Sequence, residues 1–133
     1  MGFINMNLGD TVKEGEIVAE GRYQLRITKA DDTESKKGNP MTRIVIRIED
    51  APTANALPIF YYMNHIYAGL SDDQVQMRSL EIKRFLTLFG VPFEQGGFDT
   101  QDLVGQTAEA FVGQEEGEDK IMRNRLVLPR LKD

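Results

Sequence analysis

The sequence predicts an all-β fold of five strands, with one main helix between the third and fourth strands. The first half of the chain alternates apolar and polar residues with a period of two, which is typical of strands that bury one face. At Ser71 the apolar period lengthens to that of an amphipathic helix. Two more short apolar runs follow the helix, separated by an acidic turn, and they predict a hairpin.

The first predicted strand covers residues 17–30, where Tyr23, Leu25 and Ile27 alternate with polar residues. A long polar loop is predicted over residues 31–40, because charged and turn-forming residues replace the alternation there. Glycine and proline in this stretch are expected to shape the loop and to stiffen the entry to the next strand.

The second and third predicted strands cover residues 41–50 and 59–66. The second strand places three isoleucines on one face and, on the other face, Arg43, Val45 and Arg47. The third strand has the sequence IFYYMNHI, which is aromatic and more continuous than alternating. These two strands therefore bring basic and aromatic side chains to neighbouring positions.

The main helix is predicted over residues 72–89. Ser71 and Gln74 have the spacing of a capping box, in which each side chain satisfies a free backbone amide of the other residue. Gly90 is expected to end the helix in a left-handed conformation. One face of the helix carries an apolar stripe, which suits packing against a core: Val75, Ile82, Phe85, Leu86 and Phe89.

Four shorter elements complete the predicted order after the helix. They are a helical turn, a strand, the acidic turn EEGED and a last strand, at residues 99–105, 106–114, 115–119 and 120–131. Three strands, a helix and a hairpin follow one another in an OB-fold, a five-stranded and partly open barrel. The helix would close one end of that barrel, and ligands would bind around strands two and three.

The bulk composition predicts a single ordered domain over residues 1–133, with residues 1–10 as a loose N-terminal arm. No apolar run approaches the roughly 20 residues of a membrane helix, so no membrane partner is expected. The chain has no cysteine, which excludes disulfides, thiol catalysis and thiolate metal sites and favours a reducing compartment, the cytoplasm.

Positive charge is concentrated in two segments, although the whole chain has a net charge of −5. Residues 22–47 contain seven basic and three acidic residues, and residues 120–132 contain five basic and no acidic ones. Both segments are predicted to form strands. If they meet in space, an acidic protein presents a basic face.

In the predicted barrel the two basic segments converge on one groove. Basic side chains for phosphates and aromatic rings for bases are what sequence-tolerant binding of single-stranded nucleic acid requires. Phe60 shares a face with Tyr62, and Tyr61 points the other way, so one of the two tyrosines is expected in the core; the sequence leaves open which. The candidate binding residues are Arg26, Lys36, Lys37, Arg43, Arg47, Tyr61, Tyr62, Lys120, Arg123 and Arg125.

Simpler interpretations of these residues remain open at this point. Lys36 and Lys37 fit a solvated loop, and the arginines fit the wet face of an antiparallel strand. The acidic turn would place carboxylates beside the groove, which weakens a DNA interpretation. The single histidine, His65, is expected at a strand end or in a loop and not as a ligand. With no second histidine and no catalytic constellation, the sequence predicts neither an enzyme nor a metal site nor a cofactor.

Three stretches of the chain resemble a known family: EGRYQLRITKADDTESKKGNPMTRIVIRIED, LEIKRFLTLFG and LVGQTAEAFVG. They are similar to small phage-encoded proteins of the OB-fold single-stranded DNA-binding type. The resemblance covers roughly residues 15–128. It implies single-stranded DNA binding without catalysis, in phage DNA replication or recombination in the host cytoplasm. It also implies replication or recombination proteins as partners and a homo-oligomer as one possible state.

One departure from the family pattern lies at the end of the chain. Many single-strand binders end in an acidic tail that recruits partners, whereas this chain ends RLVLPRLKD. The alternative function is that of a structural or protein-interaction barrel, for example a phage assembly or host-interaction component. The charge distribution favours DNA binding, because a purely structural barrel has no reason to gather its positive charge around one groove.

Overall fold

The computed structural model describes residues 2–6 and 15–131. The predicted all-β class and the predicted order of the elements are confirmed, since one five-stranded antiparallel sheet is accompanied by one α-helix. The elements are β1 (Gly21–Glu34), β2 (Pro40–Ile48), β3 (Ile59–Asn64), α1 (Asp72–Leu88), a 3₁₀ turn (Thr100–Asp102), β4 (Thr107–Glu116) and β5 (Met122–Val127).

The strands are arranged in the order β3-β2-β1-β4-β5, and every neighbouring pair is antiparallel. In the described part of the chain no ladder joins β3 to β5, so the hydrogen-bonded sheet is not closed into a barrel. Some Cα atoms of these two edge strands nevertheless come within 8 Å of each other. The two edges of the sheet therefore face one another.

The first strand differs from its prediction at both ends. It begins at Gly21, and it continues past a bulge between Ile27 and Lys29 to Glu34. The polar residues at its end belong to the strand because residues 31–34 pair with residues 40–43 of β2. Asp32 also accepts hydrogen bonds from the Thr42 and Thr100 hydroxyls, at 2.8 and 2.9 Å. The predicted loop over residues 31–40 is therefore only a tight turn at 35–39.

The later strands also correct the predicted boundaries. β3 alternates cleanly, with Ile59 and Met63 buried and Phe60 and Tyr62 exposed. β4 includes the first two glutamates of EEGED, because they pair with β5, and the turn occupies residues 117–121. The last strand ends at residue 127, well before its predicted end at residue 131.

The core lies between the inner face of the sheet and α1. The predicted capping box at Ser71 is confirmed, and Gly90 follows the helix with a φ of 66°. From the helix, Phe85 packs its ring on Tyr61 and on Phe89, with centroid distances of 4.8 and 4.9 Å. The helix therefore covers the inner face of the sheet. Of the predicted stripe, Phe85, Leu86 and Phe89 are buried and Val75 and Ile82 are partly buried.

A buried polar residue connects the last strand to two earlier segments. The Asn124 side chain accepts a hydrogen bond from the Val18 amide and donates one to the Leu57 carbonyl, both at 2.9 Å. Because both polar groups of this buried amide are satisfied, it specifies the packing of β5 without an unpaired group. The backbone amide of Val18 therefore bonds to a side chain and not to the backbone of a neighbouring strand. The prediction that residues 17–20 belong to the first strand is wrong, since β1 begins at Gly21.

Two further predictions concern the termini and membranes. Of the expected N-terminal arm, residues 2–6 are exposed, and residues 1 and 7–10 lie outside the described residues, as does Lys132 of the basic C-terminal segment. Within residues 2–6 and 15–131, no helix combines the length and the apolar character needed to cross a membrane.

Candidate nucleic-acid interface

The outer face of β2 and β3 brings exposed aromatic rings beside arginines. Across the two strands, Arg43 lies opposite Tyr62, and Val45 lies opposite Phe60. Phe60 is 51% exposed and Tyr62 is 50% exposed. About half of the surface of each side chain is therefore open to solvent on this face.

Tyr61 lies on the opposite, inner face of the sheet and is therefore not part of the candidate site. Its ring stacks on Phe85, and its hydroxyl donates a 2.6 Å hydrogen bond to Glu81 Oε1. Burial, together with the Glu81 carboxylate, raises the pKa of Tyr61, so its hydroxyl stays protonated. The inclusion of Tyr61 among the binding residues is thus corrected, and Tyr62 is the tyrosine on the outer face.

The last strand adds two arginines to the same face. Asn124 is buried, so its neighbours Arg123 and Arg125 point outward. Hydrogen bonds to Asp119 are the main cause that raises the pKa of Arg123, and the charges of Asp119 and Glu115 act in the same direction. Because β3 and β5 approach each other, Tyr62 on β3 has Arg43 of β2 on one side and the strand that carries Arg123 on the other.

Several of the predicted cations already have carboxylate partners. Arg26 pairs with Glu49, and Arg47 lies 3.6 Å from the other oxygen of the same carboxylate. Arg123 makes two hydrogen bonds to Asp119. All of these pairs are on the surface, where an ion pair contributes little to stability. The carboxylates of Glu49 and Asp119 therefore make the outer face less positive than a count of its basic residues alone predicts.

Other predicted cations have no carboxylate within ion-pair distance among the described residues. Arg43 and Arg125 belong to this group, and Asp31 lies opposite Arg43 across the strands without forming an ion pair with it. The same holds for three lysines in the two hairpin turns: Lys36, Lys37 and Lys120.

The turns that carry these lysines are tightly built. In the β1–β2 turn the Ser35 amide donates to the Asn39 carbonyl at 2.8 Å, and Gly38 adopts a φ of 82°. Lys120 was predicted to begin the last strand, but it lies in the β4–β5 turn with a φ of 63°. The lysines of the first turn and Lys120 in the second therefore occupy the two hairpin ends of the sheet.

Two residues of this face were missed in the sequence analysis. Glu49 follows β2 directly and neutralises arginines on two different strands. Phe111 is an exposed ring on the outer face of β4, opposite Arg22 of β1 and Val127 of β5. The alternation of residues along β4 could have predicted that Phe111 points outward. The two ion pairs of Glu49 could not be predicted in this way, because they depend on how β1 and β2 pair.

A separate cavity of about 640 Å³ lies on the helix side of the molecule. The only histidine, His65, lies beside it, and its Nε2 is 2.7 Å from the Thr42 hydroxyl. That hydroxyl donates its single hydrogen to Asp32, so His65 Nε2 is the donor to Thr42. No three His, Asp or Glu side chains in the described ranges are grouped as metal ligands would be.

Comparison with models of known protein families found no match for the chain. No curated protein matches it significantly either. The assignment of a function therefore depends on the geometry and chemistry of the outer face described above.

Proposed function

We propose that this protein binds single-stranded DNA, without catalysis, on the outer face of β2, β3 and β5. The observation that carries the proposal is the exposed ring of Tyr62, with Arg43 opposite it on β2 and the outward arginines of β5 across the approach of β3 to β5. A flat ring stacks on any base, and guanidinium groups bind the phosphates on either side of it. Phe60, two residues before Tyr62, offers a second stacking surface on the same face.

We further propose that the fold is an OB-type barrel in which β3 and β5 approach without a continuous ladder. The strand order and the helix after β3 support this assignment. In such a barrel the binding groove crosses strands two and three, flanked by the loops after the first and fourth strands. Here those loops are the turns at 35–39 and 117–121, which contain Lys36, Lys37 and Lys120.

The chemistry of this face favours a single strand over a duplex. In a duplex the bases are stacked on one another, so no base face is open to the exposed rings. Base–aromatic stacking contributes about 1–3 kcal/mol per base. The remaining affinity comes from phosphates, and because several arginines are already paired with carboxylates we expect that part to be moderate and sensitive to salt.

Fluorescence anisotropy with labelled oligo-dT, compared with single-stranded RNA and duplex DNA of equal length, tests the proposal. Each phosphate neutralised on a single strand adds about −0.7 to the slope of log K against log salt. Contacts from Arg43 and Arg125 alone predict a slope of about −1.4, and adding Arg47 and Arg123 predicts about −2.8. A flat salt dependence, or tighter binding of the duplex, would contradict the proposal.

A role in phage DNA replication or recombination, in the host cytoplasm, is the biological setting that the family resemblance favours. Replication or recombination proteins would then be the protein partners. This part of the proposal predicts that the protein accelerates the annealing of complementary single strands or protects a single strand from nuclease. Absence of both effects at saturating protein would contradict it.

A second candidate function, that of a protein-interaction module, is favoured by the cavity on the helix side. Ile66 and Phe93 line this cavity and are 45% and 40% exposed. The cavity lies away from the arginines of the outer face, so the two functions are separable by mutation. If oligo-dT does not bind even at low salt, the interaction module becomes the better explanation.

A further inference from the structure

The side chain of Arg123 is held by the turn that precedes its strand. Its Nη1 donates to Asp119 Oδ1 at 3.1 Å, and its Nη2 donates to Asp119 Oδ2 at 2.5 Å. This two-pronged contact uses two of the five guanidinium hydrogens, and a phosphate that approaches the same end of the guanidinium would need these two. In the free protein, therefore, this outward arginine of β5 is engaged by a carboxylate.

Gly117 makes this arrangement possible. A Cβ atom at this position would lie 1.8 Å from Arg123 Nη1 and 2.8 Å from Asp119 Oδ1. The backbone of Gly117 is not in the left-handed region, so its conformation does not require glycine. The absence of a side chain instead leaves the space in which the guanidinium lies against Asp119.

We propose that Asp119 is an internal competitor for Arg123, and that a phosphate of the bound strand replaces it next to the base stacked on Tyr62. The inference builds on the proposed binding of single-stranded DNA and names one nucleotide subsite within it. Both partners of the pair are exposed to solvent. Exposed ion pairs are weak, so a backbone phosphate, which carries the same single charge and accepts the same two-pronged hydrogen bonds, displaces the carboxylate at little cost.

The exchange makes Asp119 a determinant of affinity. Every strand that binds must first break the contact between Arg123 and Asp119, which lowers the affinity of this subsite. The released carboxylate also remains at the rim of the groove, near the acidic Glu115 and Glu118 of the same hairpin. Removing the competitor therefore strengthens binding, while the number of phosphate contacts in the complex stays the same.

Two variants test the exchange by different physical means. Asp119→Asn removes the charge but keeps the Oδ1 atom that accepts the Ile121 amide, so the turn is preserved. Gly117→Ala leaves the net charge unchanged and pushes the Arg123 guanidinium away from Asp119. Glu118→Gln is the matched control, since it removes one charge from the same turn, and Glu118 makes no ion pair with the described residues.

We expect both Asp119→Asn and Gly117→Ala to tighten oligo-dT binding by about two- to fivefold at low salt, the range that an exposed ion pair spans. The salt slope should stay nearly the same, because the phosphate contacts Arg123 in both complexes. Glu118→Gln should tighten binding less, because Glu118 does not compete for Arg123. Adding Arg123→Ala to Asp119→Asn should remove the gain, because the released cation is then absent.

The outcomes separate this inference from the proposed function. If the wild-type protein binds oligo-dT but Asp119→Asn behaves like Glu118→Gln, the competitor role is wrong and the binding function stands. Weaker binding of Gly117→Ala, with an unchanged thermal melting temperature, would also overturn it, because Asp119 would then be orienting Arg123 for the ligand. If Gly117→Ala does not fold, the affinities of Asp119→Asn, Arg123→Ala and the double variant decide whether Asp119 competes for Arg123. A wild-type protein that binds no single strand overturns both proposals.

Discussion

The two faces of the sheet differ most clearly at two consecutive residues of β3. Tyr61 points inward, stacks on Phe85 and donates its hydroxyl to Glu81. Tyr62 points outward, is half exposed and lies beside Arg43. The two side chains are chemically identical, so their different surroundings alone assign one to the core and the other to the candidate interface.

The same division runs along β2, and it separates stability from binding. The inner isoleucines are fully or almost fully buried, as are Phe85 and Leu86 of the helix that covers them. The outer positions carry Arg43 and Arg47, which contribute little to folding because they remain in water. Substitutions on the inner face should therefore change the free energy of unfolding, and those on the outer face should change affinity.

The largest expected effect concerns the inner face. Phe85→Ala should lower the free energy of unfolding by about 3–5 kcal/mol, because a fully buried ring leaves a cavity between the helix and the sheet. Chemical denaturation measures this loss. A loss below roughly 1 kcal/mol would mean that the helix does not fill the core, and it would remove the contrast between the two faces.

The tyrosine pair gives the sharpest comparison. Tyr62→Ala should weaken oligo-dT binding by about 1–3 kcal/mol through lost stacking, with little change in the melting temperature. Tyr61→Ala should lower the melting temperature, and the folded variant should bind normally. Anisotropy and thermal melts on the same two variants measure both effects. Similar phenotypes for both variants would contradict the assignment of the faces.

A smaller effect is expected for a single unpaired cation of the outer face. Arg43→Ala should weaken binding roughly five- to tenfold at 50 mM salt and reduce the salt slope by about 0.7, since one phosphate contact is lost. Lys83→Ala is the charge-matched control on the exposed surface of α1. Equal losses for the two variants would indicate general electrostatic attraction instead of a defined site.

The smallest effect concerns the hydroxyl of the inner tyrosine. Tyr61→Phe keeps the stack on Phe85 but loses the hydrogen bond to Glu81, which should cost no more than about 0.5–1.5 kcal/mol of stability. Glu81 is exposed, so water can replace the lost donor. A loss as large as that of Tyr61→Ala would show that the hydrogen bond, and not the ring, holds the helix to the sheet.

The sequence by itself determined the elements whose signals are local. The alternation in β2, the capping box at Ser71 and the glycine after the helix each depend on residues a few positions apart. The order of strands and helix followed from them. Even so, the end of β1 was misplaced, because polar residues 31–34 pair with β2 and Asp32 bonds to Thr100, which is 68 positions away.

Only the tertiary structure decided what the candidate interface contains. A period of two places Tyr61 and Tyr62 on opposite faces, but the position of the helix decides which face is the core. Counting charges treats Arg26 and Arg123 as cations that are free to bind a phosphate. In the structure each of them is paired with a carboxylate. The approach of β3 to β5 joins residues about 60 positions apart. Such contacts arise from packing of the whole sheet, and no local pattern encodes them.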